Sequence, residues 1–109
     1  MIKQRKIVCY ELNEVPWRVL DFYTQHYPHS TLAQLLNHSF QWETHTRDSG
    51  ELHPWSTWPT MHRGVTNDQH EIRFLNQDLS QAASYPPLWH ILMHQGKKVG
   101  LFAPLQSYP

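Results

Sequence analysis

Two threonines three residues apart, Thr57 and Thr60, flank a Trp58-Pro59 pair. If Pro59 opens a helix, Thr57 sits just before free backbone N–H groups and the positive end of the helix dipole. Such a place favours negative charge. A threonine hydroxyl there can attack phosphorus, with a metal stabilising its alkoxide and the N–H groups stabilising the developing anion. The plainer role for Thr57 or Ser56 at that place is a helix N-cap. A second set of groups lies early in the chain. Glu11, Asn13 and Glu14 follow an apolar run and offer hard oxygen donors to a divalent cation. Asn13 could equally cap a helix, with both acids solvated. Histidine is abundant, nine of 109 residues. His90 and His94 are spaced i, i+4 on an expected helix and could chelate zinc, or lie on a solvated edge. His53, His62 and His70 surround the threonine segment. Trp55 and Trp58 bracket Thr57; they line a site or pack the loop.

These groups need elements to position them. Ile7-Val8-Cys9-Tyr10 reads as a short buried strand after the charged opening of Lys3, Arg5 and Lys6. Asn13 is placed to cap a helix with Pro16 in its first turn and Val15, Val19, Leu20 and Tyr23 on one face. Ser30 is placed to cap a second helix carrying Leu32, Leu35 and Leu36. Phe40 to Thr46 alternates large and polar residues as a strand does, and Asp48-Ser49-Gly50 is a turn signal. A short helix is expected from Pro59 to Gly64, a strand over Glu71–Leu75, a helix opened by Pro86-Pro87 and stopped by Gly96, and a last strand over Lys97–Ala103. Strands alternating with helices predict an α/β fold, a mostly parallel sheet with flanking helices. Ligands then bind at the carboxyl ends of the strands, where both Glu11–Glu14 and the threonine segment would fall.

Composition narrows the function classes. Nine Lys+Arg balance nine Asp+Glu, which argues against a nucleic-acid binder and against a polybasic membrane-surface segment. No apolar run is long enough to span a bilayer. A secretory signal is not apparent, because Glu11 interrupts the apolar stretch; the reading leans cytoplasmic. Cys9 is the only cysteine, so no internal disulfide is possible. A parallel sheet of three or four short strands would leave an exposed edge. The chain is therefore expected to be the N-terminal portion, residues 1–109, of a single larger α/β domain, completed by a missing C-terminal portion or by a homo-oligomer.

The order of these motifs resembles the N-terminal part of the alkaline phosphatase superfamily, in its type I phosphodiesterase/nucleotide pyrophosphatase branch. Ile7–Asn13 resembles that group's opening strand with its metal-binding acid. Pro28 through Leu36 is similar to its Pro-Leu-Leu segment. Thr57-Trp58-Pro59 resembles its nucleophile context. Gly64 and His70, then Pro87-Leu88-Trp89 and Gly96 to Phe102, resemble later landmarks. The resemblance implies a partial alkaline-phosphatase-like core and hydrolysis of a small-molecule phosphodiester or pyrophosphate. Thr57 would be nucleophile and metal-bound alkoxide, and Glu11 or Asn13 a metal ligand. Trp58 and His70 would contact substrate, and two zinc ions would serve as cofactors, with Mn or Ca as variants. The spacing from Thr57 to Gly64 is about a turn shorter than in that group, which makes Thr60 a rival nucleophile. Glu71 stands in place of a glycine, and Met61 in place of the arginine that the sulfatase branch carries. Most metal ligands of the group would lie after Pro109, so the 109-residue chain is expected to be inactive alone. The alternatives are a sulfatase-like hydrolase fragment, a non-catalytic His/Trp-rich binding module, and a truncated relic.

Overall fold

The computed structural model describes residues 5–107, so Lys3 of the charged opening lies outside it. The chain divides into two compact units, residues 1–43 and 44–109. The fold is helical, and no strand occurs among the described residues. The expected α/β architecture with a parallel sheet and an alkaline-phosphatase-like core is therefore corrected. All four anticipated strands are irregular backbone. Ile7, Val8 and Tyr10 are 85%, 89% and 84% exposed, so the first of them buries neither face. β-branched and aromatic content records a fit to a pleated, half-buried surface, and no backbone partner provides one here.

In the first unit, α1 spans Trp17–His26 and α2 spans Thr31–Asn37. Asn13 does not cap α1. Pro16 takes that position, and Glu14 lies in a left-handed turn at φ 55°. Along α1, Phe22 with His26 and Tyr23 with Tyr27 make ring pairs at 4.1 and 5.0 Å, as i, i+4 spacing dictates. No residue of α1 is buried. Ser30 caps α2 as expected, its Oγ accepting the Ala33 N–H at 3.2 Å. Such a cap is worth about 1 kcal/mol over alanine.

The second unit holds α3 (Pro54–Arg63), α4 (Asn67–His70), a 3-10 turn (Ser80–Ser84) and α5 (Leu88–His94). The helix that carries the threonines starts at Pro54, five residues before the expected Pro59. It ends where expected, with Gly64 at φ 69°. Pro59 therefore lies mid-helix, buried, and the Trp55 carbonyl goes without its usual N–H partner. Pro87 caps α5. After α5, the Gly96 N–H bonds the Met93 carbonyl at 2.9 Å and the Lys97 N–H bonds the Leu92 carbonyl at 3.0 Å, with Gly96 at φ 72°. That is a Schellman ending.

The second unit's core is small. Pro59, Ile72, Ala82 and Pro87 are buried alongside polar Ser56, Asn67 and His70, and Arg63 is nearly so. The expected strand at Glu71–Leu75 is replaced by a side-chain clasp. Gln77 Oε1 accepts the N–H groups of Arg73 and Phe74 at 2.6 and 2.7 Å, and its Nε2 donates to the Glu71 carbonyl at 2.8 Å. Donors that a neighbouring strand would have used are thus occupied locally. Among the described residues, no helix is long and apolar enough to cross a membrane.

Candidate functional site

The middle of α3, the start of α4 and the turn before α3 meet in a polar network. Its centre is Thr60. Thr60 Oγ1 lies 2.7 and 2.9 Å from the two carboxylate oxygens of Asp48 and 2.8 Å from His70 Nε2. His70 Nδ1 accepts the Ile72 N–H at 2.9 Å. That bond makes Nδ1 the acceptor of the neutral ring, so the ring proton sits on Nε2. The hydrogen bonds therefore run one way: Nε2–H of His70 donates to Thr60, and the Thr60 hydroxyl donates to Asp48. A carboxylate is the proton acceptor for this threonine, and the imidazole is a donor to its oxygen.

Asp48 is held in turn by α4, because the Asn67 backbone N–H donates to its Oδ1 at 2.8 Å. The fully buried Asn67 side chain then pairs with Ser49 as a strand neighbour would. Its Oδ1 accepts the Ser49 N–H at 3.0 Å and its Nδ2 donates to the Ser49 carbonyl at 2.9 Å. Arg73 closes the outer side, donating to the Ser49 carbonyl at 3.0 Å and pairing with Asp68. The Trp55 indole N–H donates to the Arg73 carbonyl at 3.1 Å. The links from Asp48 to Thr60 and Asn67, and from Ser49 to Asn67 and Arg73, join residues 12 to 24 apart in sequence, so the network fixes the turn at residues 48–50 against α3 and α4.

His70 is fully buried. Burial pushes its pKa below the ordinary 6.5, the charges of Arg63 and Arg73 add to that, and Asp48 opposes it. Protonation would also cost the Ile72 bond. The folded state thus holds the neutral ring, and the unfolded chain takes up a proton first as pH falls. Stability supplied by neutral His70 is complete above 6.5 and is lost as pH drops below that value toward the lower folded one. Urea unfolding of the second unit is expected to shift to lower denaturant between about pH 7 and about pH 5, and this shift should shrink in His70→Gln. An equal shift in that variant would assign it to other groups.

A shallow open cavity of about 350 Å³ borders the network, lined by Thr60, His45, Thr46, Arg47, Thr66 and Gln69 among others. Among its lining residues are an arginine and three threonines.

The anticipated site residues divide between the units. Glu11 and Asn13 are exposed in the first, whereas Thr57, Trp58, Thr60 and His70 belong to the second. Thr57 is the fourth residue of α3, and its backbone N–H bonds the His53 carbonyl at 2.9 Å. It does not precede a free helix N-terminus as expected. Its hydroxyl donates to the same carbonyl at 3.1 Å. Trp58 stacks on His62 at 5.7 Å, and His62 meets the edge of Trp89 at 5.0 Å. His70, expected to contact substrate, is bonded at both nitrogens and acts on Thr60 from behind. Sequence reasoning missed Asp48 and Asn67. Asp48 was legible only as a turn former, and Asn67 lies between Gly64 and His70 without a pattern of its own.

Among the described residues, no three or more His, Cys, Asp or Glu side chains are grouped to hold a metal ion. Glu11 and Asn13, the oxygen donors that the resemblance names here, lie in the first unit, and Thr57 lies in the second. Comparison with known protein families, with curated proteins and with solved structures finds no match for this chain.

Proposed function

We propose that the second unit carries the nucleophile of a phosphoester hydrolase, and that Thr60 rather than Thr57 is that nucleophile. The helical fold removes the sheet-edge argument, so the reading stands on side-chain geometry and on motif order. One observation carries it: the Thr60 hydroxyl is held between a carboxylate acceptor at 2.7 Å and an imidazole N–H donor at 2.8 Å, beside an open cavity containing Arg47. Thr57 has a backbone carbonyl in the place of that carboxylate.

The chemistry follows from these partners. Asp48 takes the hydroxyl proton as Oγ1 attacks phosphorus. The His70 Nε2–H stays hydrogen-bonded to that oxygen and stabilises the charge left on it as its proton departs, before the bond to phosphorus forms. Arg47 and the hydroxyls of Thr46 and Thr66 suit the phosphoryl oxygens. The bond from phosphorus to the substrate's ester oxygen breaks and that oxygen takes up the proton from Asp48; a Thr60 phosphoryl ester remains, and water cleaves it, passing a proton through Asp48 back to Oγ1. A small phosphodiester or pyrophosphate fits this sequence.

The test is hydrolysis of an aryl phosphodiester by the complete gene product and its variants. Thr60→Ala should abolish turnover and Thr57→Ala should retain most of it. The reverse pattern would return the role to Thr57. Equal retention in both would leave the network a packing device and place the chemistry on other residues.

A further inference from the structure

We propose that His90 and His94 on α5 form a two-imidazole site for a first-row divalent transition metal, with Ni2+ and Cu2+ preferred to Zn2+. The pair is separate from the Thr60 network and does not depend on its function. Residues four apart on a helix stack on one face. The two ring centres lie 4.6 Å apart with planes at 63°.

That separation can be set against coordination geometry. An imidazole nitrogen lies about 1.1 Å from its ring centre and binds such metals at about 2.0–2.1 Å. Two rings on one metal then have centres about 4.5 Å apart at a right-angled bite and about 5.2 Å apart at a tetrahedral one. The observed spacing matches the right-angled case. Square-planar and octahedral ions use that angle, whereas zinc prefers the tetrahedral one, and imidazole suits all three.

A second observation points to the same ring. His90 Nδ1 is buried without a hydrogen-bond partner, alone in this among the side-chain nitrogens and oxygens of the described residues. Because Nδ1 is closed to solvent, an incoming ion meets this ring at Nε2. His94 is exposed, so an ion can reach the pair from solvent. The helix is closed by the Schellman turn at Gly96, which fixes the backbone beneath both residues. With no third protein ligand grouped there among the described residues, water completes the coordination sphere. Affinity is then lower than at a closed four-ligand site.

The experiment titrates the chain with nickel chloride by calorimetry and follows Cu2+-induced broadening of backbone amide NMR signals. His94→Ala changes an exposed side chain and so tests the site without burdening the fold; His90→Ala is its partner, and His29→Ala the control. Broadening should centre on residues 88–95, and Ni2+ affinity should fall about tenfold or more in either α5 variant and stay unchanged in the control. Absence of binding, broadening centred elsewhere, or unchanged affinity in His94→Ala would each overturn the site. Zinc binding tighter than nickel would overturn the metal preference.

Discussion

His70→Ala should unfold or nearly unfold the second unit, with an expected loss of about 3–5 kcal/mol. Two terms add. The ring is fully buried, so its removal leaves a cavity, and large-to-alanine changes of this kind cost several kcal/mol when neighbours cannot collapse. The buried Ile72 N–H then loses its acceptor, and half-buried Thr60 loses its donor. An unsatisfied group such as the Ile72 N–H costs about 1–3 kcal/mol where water cannot reach it. A unit of 66 residues has only a few kcal/mol of net stability to lose. Urea unfolding followed by tryptophan fluorescence is the measurement, because Trp55 is tied to the network through Arg73. His70→Gln should fall between, since a carboxamide can retain one of the bonds. A His70→Ala protein with an unchanged midpoint would mean that the network holds nothing together.

Thr60→Ala should lower phosphodiester turnover by the complete gene product about a thousandfold or more, the scale seen when a hydroxyl nucleophile is removed. Thr57→Ala should stay within about tenfold of the parent. Stability and chemistry must be separated, because Thr60→Ala also strips a partner from Asp48 and His70. The Thr60→Ser variant separates them, since serine keeps the oxygen and both bonds and should keep turnover. Thr60→Val keeps the shape without the hydroxyl and should lose it. If Ser and Val variants have equal activity, the hydroxyl has no chemical part.

The parts of this structure that were legible in the sequence are those decided by a few consecutive residues. Ser30 caps α2, Gly64 ends α3, Pro87 opens α5 and Gly96 closes it. In each case one side chain or one positive φ settles the outcome. Strands were not legible, because a strand exists only through its neighbours. Ile7–Tyr10 has the right residues and no partner, and Glu71–Leu75 has its donors taken by Gln77. The start of α3 was misplaced because Pro54 and Pro59 both suit a first turn. Pro54 holds that place, and α3 carries Pro59 buried in its interior.

The candidate site shows the same division. Thr60 and His70 were legible as chemistry-bearing residues near the threonine segment. Their relation was not, because it depends on Asp48 arriving from a turn twelve residues before Thr60. The direction of the bonds was hidden as well. It is set by the Ile72 N–H, a backbone group that no side-chain motif records.

The most direct test is to trap the covalent adduct. The complete gene product is mixed with an aryl phosphodiester, quenched in acid within a turnover, digested, and its peptides sequenced by mass spectrometry. A phosphoryl ester on Thr60, absent in Thr60→Ala, is the predicted result. An ester on Thr57, or full hydrolysis with no modified threonine, would contradict it.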